Sequence, residues 1–115
     1  MDSENRAAEQ NAVDMISFAI VASAGQAKSL AFEALESAQI GDFDKAAQLL
    51  CESKSMLGEA HKQQTALLTK EASGEHLPLD VLLIHAQDHL MTSILAQELI
   101  AEIVSLHKAI DTLKQ

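Results

Sequence analysis

Ile84-His85-Ala86-Gln87-Asp88-His89-Leu90-Met91-Thr92 is the polar centre of a long apolar segment that otherwise reads as helix core. On a helix, residues three and four apart share a face, so His85, Asp88 and His89 project together from one side. Val81, Ile84, Met91 and Leu95 surround Asp88 there. A carboxylate set in that stripe is expected to be buried, with no basic partner in its own helix. Burying an unpaired charge is expensive, so such a group has to be protonated, paired or bound to a cation. Asp88 must be answered from outside its own helix.

Outward from this segment, the composition supports helices throughout. The chain has 115 residues, the size of one domain spanning 1–115 with one core. It is 48% hydrophobic, which is enough to fold, and its apolar residues are mainly Ala, Leu and Ile, with three Phe, no Trp, no Tyr and one Pro. That is the vocabulary of packed helices, since β-rich domains lean on aromatic and β-branched residues. A formal charge of -9 argues against nucleic acid, which requires clustered Lys and Arg, and against anionic membranes. No run of about 18 apolar residues stands out and the N-terminus is polar, so neither membrane insertion nor a signal peptide is expected. A single cysteine, Cys51, forms no internal disulfide and fits a reducing cytoplasmic setting.

Met1 to about Arg6 reads as a frayed polar tail. From about Ala7, the residues Val13, Ile16, Ile20, Ala24, Ala27, Ala31, Ala34 and Ala38 follow helical spacing, and their small size predicts a close helix contact. Gly25, in mid-helix, suggests packing at a helix crossing or room for a ligand or partner near the backbone. Gly41 and Asp42 suit a helix end and the next N-cap. A second helix follows from about Phe43 to about Ala72, with Phe43, Ala46, Leu50, Leu57, Ala60 and Leu67 on a stripe that Ser53 and Gln64 dilute. The short connection requires antiparallel packing. Cys51 reads as a small core or boundary residue and His61 as solvated. Gly74 and Pro78 mark the second break, and a last helix runs from about Leu79 to about Leu113. Its apolar residues occupy more than one face, which predicts a second buried surface and hence self-association.

The chemistry of His85 and His89 has two readings. Spaced by four, they suit a metal, but the zinc-protease pattern needs Glu where Ala86 stands, and neither a third ligand nor a Glu-x-x-His pair is evident. A neutral imidazole is also a competent nucleophile near pH 7 whose phosphoramidate passes its phosphoryl group onward. Such a relay needs positioning and docking surfaces but no nucleotide loop, and none is present. A carrier fits this inventory better than a kinase. The His-x-x-Lys site of two-component phosphotransfer domains is not matched, because Asp88 stands at the lysine position.

The run Val81-Leu82-Leu83-Ile84-His85-Ala86-Gln87-Asp88-His89-Leu90-Met91-Thr92 resembles the active-site segment of the lactose/cellobiose-type enzyme IIA proteins of the bacterial sugar phosphotransferase system. Ala24-Gly25-Gln26-Ala27-Lys28-Ser29-Leu30, Gly41-Asp42-Phe43 and Glu59-Ala60-His61-Lys62-Gln63-Gln64-Thr65 are similar to its other recurrent segments, in the same order. The resemblance implies an all-α, antiparallel three-helix up-down bundle that trimerises into a nine-helix bundle, with sites at subunit boundaries. It implies that His85 accepts a phosphoryl group on Nε2 from the phosphohistidine carrier protein and passes it to a cysteine of the cognate IIB protein, for β-disaccharide uptake through IIC. It implies that Asp88 meets its symmetry copies at the threefold axis and shares a Mg2+ ion, with Gln87 and His89 in support. One point has independent physical backing: three carboxylates around an axis repel one another, and a hard divalent cation with oxygen ligands answers that repulsion. The competing expectation is a non-catalytic helical assembly module with a structural metal at His85 and His89.

Overall fold

The computed structural model describes residues 3–115, and among them the chain forms three α-helices and no strand: α1 (Ser3–Gln39), α2 (Phe43–Ala72) and α3 (Val81–Leu113). They lie side by side in a rod of 69 × 21 × 19 Å. Both turns close in the same way. At the end of α1, Asp42 N–H donates to the Ser37 carbonyl and Gly41 N–H to that of Ala38; after α2, Glu75 N–H donates to Lys70 and Gly74 N–H to Glu71. The closure requires a left-handed residue, and Gly41 (φ 85°) and Gly74 (φ 97°) supply it. Each following helix is capped by an aspartate: Asp42 Oδ1 accepts from Lys45 N–H at 3.2 Å and Asp80 Oδ1 from Leu83 N–H at 2.8 Å. The chain thus reverses twice, and α3 runs in the same direction as α1.

α1 is the common partner, packing along both α2 and α3, which touch each other far less. Its core face is small: Ala24, Ala27, Ala31, Ala34 and Ala38 are buried, which lets the neighbouring backbones approach closely. At one end Val13, Ile20, Leu57, Leu67, Leu83 and Leu90 fill the space between helices; at the other, Leu49, Ile100 and Val104 pack on the alanines. Ser53 and Gln64, which interrupt the apolar stripe of α2, are both buried. Ser53 Oγ donates to the Ala27 carbonyl at 2.7 Å, bonding α2 to α1 midway along the rod.

The helix boundaries differ from the sequence reading at two places. Ser3–Arg6 continue α1 as an exposed extra turn instead of a frayed tail, with Glu4 near the positive end of the helix dipole; Met1 and Asp2 lie outside the described residues. α3 begins at Val81 rather than Leu79, because Asp80 caps it. The other carboxylate oxygen of Asp80 accepts from Gln10 Nε2 at 2.7 Å, which ties the start of α3 to α1. Cys51 is exposed, not a core or boundary residue. α1 and α3 are also long and apolar enough to cross a membrane by length and composition, contrary to expectation. Only 28% of each of these windows is buried in the bundle; in α1 Met15 and Phe18 are exposed, and in α3 the second apolar stripe that contains Asp88 is.

Candidate functional site

The site lies on α3 where Leu83, Ala86 and Leu90 are buried against the other helices. With these residues turned inward, the residues between them must leave by the flanks or the outer face. His85 is exposed on one flank and His89, one turn later, is half-buried. Their rings stack, with centroids 5.8 Å apart and planes 4° from parallel. His89 packs at the α1 side beside Gly25: a Cβ there would sit 3.4 Å from its Nε2, an ordinary contact, so only a side chain larger than alanine would displace the imidazole. Gly25 is therefore a packing position on α1 next to His89. Neither histidine makes a side-chain hydrogen bond among the described residues, and the Ser93 hydroxyl, one turn beyond His89, is buried without a partner there. Within the chain, the contacts of the His89 ring are the stacked His85 ring and the Gly25 position of α1.

Gln87 leaves α3 on the opposite flank, toward α2. Gln64 Nε2 donates to its Oε1 at 2.5 Å. The sequence placed Gln64 as a polar interruption of the α2 stripe and within a segment similar to the family's; its place seven residues from Leu57 marked it as facing the core, but nothing local named its partner.

Asp88 is not buried in its own chain, which corrects the expectation. The stripe around it faces away from the core: Val81 is 83% exposed, Ile84 58%, Met91 51% and Leu95 55%. The stripe continues through Leu99, Leu106 and Leu113, also exposed. The surplus apolar face predicted for α3 is thus real and unpartnered within the chain, with one carboxylate at its centre. No group of three or more His, Cys, Asp or Glu side chains converges among the described residues, so one chain alone offers no complete metal cage, either at His85 and His89 or at Asp88.

The three-helix bundle thus presents a stacked histidine pair, one ring exposed and one half-buried, beside an apolar stripe left open to solvent. The chain belongs to the lactose/cellobiose-specific IIA subunit family of the PTS system, whose model matches residues 15–108. It is 49% identical over 94 residues to the lactose-specific EIIA component of Lactococcus lactis subsp. lactis, covering 82% of this chain and 90% of that protein. The corresponding Staphylococcus aureus (strain N315) component is 46% identical over 96 residues, covering 84% and 93%. Among solved structures, the cellobiose-specific enzyme IIA of Bacillus anthracis superposes with a TM-score of 0.84 at 41% identity, covering 87% of this chain and 92% of that one. The chitobiose IIA of Escherichia coli, solved in complex with HPr, gives 0.76 at 39% identity, covering 86% and 96%. As a member of this family the chain is a phosphotransferase-system component that acts in phosphoryl transfer in sugar transport.

Proposed function

We propose that this chain is the cytoplasmic phosphocarrier of a β-disaccharide uptake system, with His85 as the phosphorylated residue. The observation that carries the reading is the position of His85: an exposed imidazole at the edge of an unpartnered apolar face, in a chain of the IIA family. The Nε2 lone pair attacks phosphorus on the phosphohistidine of HPr; the P–N bond to the donor breaks, and its electron pair stays on the donor imidazole. In the second step a cysteine thiolate of the IIB protein attacks, and the His85 P–N bond returns its pair to Nε2. IIC then couples the phosphoryl group to sugar. No water is activated in either step. HPr as donor is supported by the solved chitobiose IIA complex. Phe18 and Phe32 expose rings seven residues either side of Gly25, on the α1 face next to the histidines, and offer the apolar contact a docking protein needs.

The apolar stripe of α3 supports a homotrimer with α3 at the threefold axis, a nine-helix bundle in which Ile84, Met91 and Leu95 are covered by their symmetry copies. Asp88 then faces two other carboxylates. Three oxygen donors of this kind suit a Mg2+ ion completed by water, and the ion's contribution is to neutralise the carboxylates and hold the subunits together. Gln87 and His89 flank the reaction from either side of α3. The test is a relay assay: labelled phosphoryl should pass from HPr through this chain to the IIB cysteine, and His85→Ala should stop it at HPr. Passage through the His85→Ala chain at the wild-type rate would assign the chemistry elsewhere.

A further inference from the structure

Gln10 lies ahead of residues 15–108, the span matched by the family, yet it is tied to the helix that carries the histidines. Its Nε2 donates to Asp14 Oδ1 at 2.8 Å, one turn along α1, and to Asp80 Oδ2 at 2.7 Å, across to the start of α3. An amide nitrogen has two N–H groups, so both are used. The amide faces the carboxylates in this sense only, because its oxygen would repel both. All three side chains are half-buried, where hydrogen bonds to charged groups are screened less than at an open surface. The other carboxylate oxygen of Asp80 accepts from Leu83 N–H at 2.8 Å, and its carbonyl accepts from Ile84 N–H at 3.1 Å. Little else holds the first turn of α3 within the chain. It carries no acidic side chain beyond its cap, Leu79 is exposed and Val81 turns outward with the Asp88 stripe, which leaves Leu83 as the buried anchor.

His85 follows on the next turn. It is bracketed by two contacts between α1 and α3: Gln10 with Asp80, five residues before it, and Gly25 with His89, four residues after it. We infer that Gln10 is a positioning residue for phosphoryl transfer: by orienting the Asp80 cap it fixes the first turn of α3, and with it the direction in which the His85 imidazole leaves the helix. The inference rests on the reading of His85 as the phosphorylated residue. Displacement at phosphorus needs the attacking lone pair in line with the breaking bond, and a helix start that shifts under the histidine spoils that alignment. Gln10 and Asp80 lie between helices and touch nothing reacting, so the effect falls on the transfer step and not on donor binding.

The test compares wild type, Gln10→Leu, Asp80→Ser and the double variant in single-turnover transfer from phosphorylated HPr, with thermal melts and hydrogen exchange on the same samples. Serine keeps the cap on Leu83 N–H but lacks the second oxygen that Gln10 holds. Gln10→Leu should lower the rate at saturating donor by about 3- to 10-fold with KM unchanged, since small misplacements far from the chemistry act at that step. The Leu83 and Ile84 amides should exchange faster in that variant, and those of Ile100 and Val104 should not. Gln10→Leu should add nothing in the Asp80→Ser background. Gln10→Arg, whose guanidinium fork keeps donors toward both carboxylates, should transfer at the wild-type rate, whereas Gln10→Glu should be at least as slow as Gln10→Leu. Val104→Ala, buried at the far end of the bundle, should lower the melting temperature and leave the rate alone. A Gln10→Leu chain that transfers at the wild-type rate, a Gln10→Leu effect of the same size on Asp80→Ser, or an equal loss in Val104→Ala would overturn the inference while wild-type phosphorylation of His85 stands. A wild-type chain that takes no phosphoryl group on His85 would overturn the underlying reading together with it.

Discussion

Leu95 separates assembly from folding. It lies seven residues from Asp88 on the outer stripe of α3 and is 55% exposed in the chain. Burying a leucine side chain completely is worth about 1.5–3 kcal/mol, so covering the exposed part contributes about 1–1.5 kcal/mol per copy. Three copies meeting at an axis contribute about 3–5 kcal/mol per trimer, which Leu95→Ala removes. At 1.4 kcal/mol per tenfold, the association constant should fall by roughly 10²- to 10⁴-fold. The helix itself should not suffer, because alanine has the higher helix propensity and little of Leu95 is used in the bundle. Leu95→Glu should go further, since it places three more carboxylates at the axis. Sedimentation equilibrium over a dilution series, with circular dichroism on the same samples, reads both quantities. The expected result is earlier dissociation with unchanged helicity at assembly-saturating concentration. A Leu95→Glu chain that sediments as the wild type does would refute α3 as the axial helix.

Asp88→Leu should preserve or strengthen the assembly, as apolar replacement of a buried ionic cluster often does. A chelator should weaken the wild-type trimer and leave this variant untouched; equal sensitivity by sedimentation would place the ion elsewhere. Gly25→Ala should stabilise the chain by up to about 1 kcal/mol in thermal melts, because its Cβ makes only an ordinary contact with His89 Nε2 at 3.4 Å. Gly25→Leu should push His89 out of its stack on His85 and slow phosphoryl transfer by about tenfold or more, as small misplacements do; an unchanged rate would remove His89 from the site. The hydrogen bond from His76 Nδ1 and then that from Leu77 N–H hold the Glu71 carboxyl below its usual 4.5. A lowered folded-state pKa contributes stability that is complete above that value and lost as pH falls through the lowered one. Glu71→Gln should therefore lower stability at neutrality and flatten its pH dependence below about pH 4.5, the two chains converging in acid; melts that differ by the same amount at neutral and acid pH would contradict this.

The three helices were legible because their signals are local: a small-residue stripe at helical spacing, glycines just past two helix ends, and an apolar excess on α3. Gly41 and Gly74 stand where a left-handed residue closes the turn. The family resemblance was legible in the His85–Met91 run, and the match over residues 15–108 agrees with it. Asp88 was read as buried because its neighbours at three and four residues are apolar; periodicity groups a face but does not say whether a helix turns that face toward its own chain. Asp80 was missed as an N-cap because Pro78 drew the start of α3 two residues early. The Gln64–Gln87 pair joins positions 23 residues apart on separate helices, a separation that single-helix spacing cannot reveal.

Peptide mapping after incubation with phosphorylated HPr, kept near neutral pH to preserve phosphoramidates, addresses His85 most directly. One phosphoryl group per chain should appear, on the peptide that contains His85, with the ring phosphorylated on Nε2. Phosphate on His89, His61 or any other side chain, with His85 unmodified, would contradict the account.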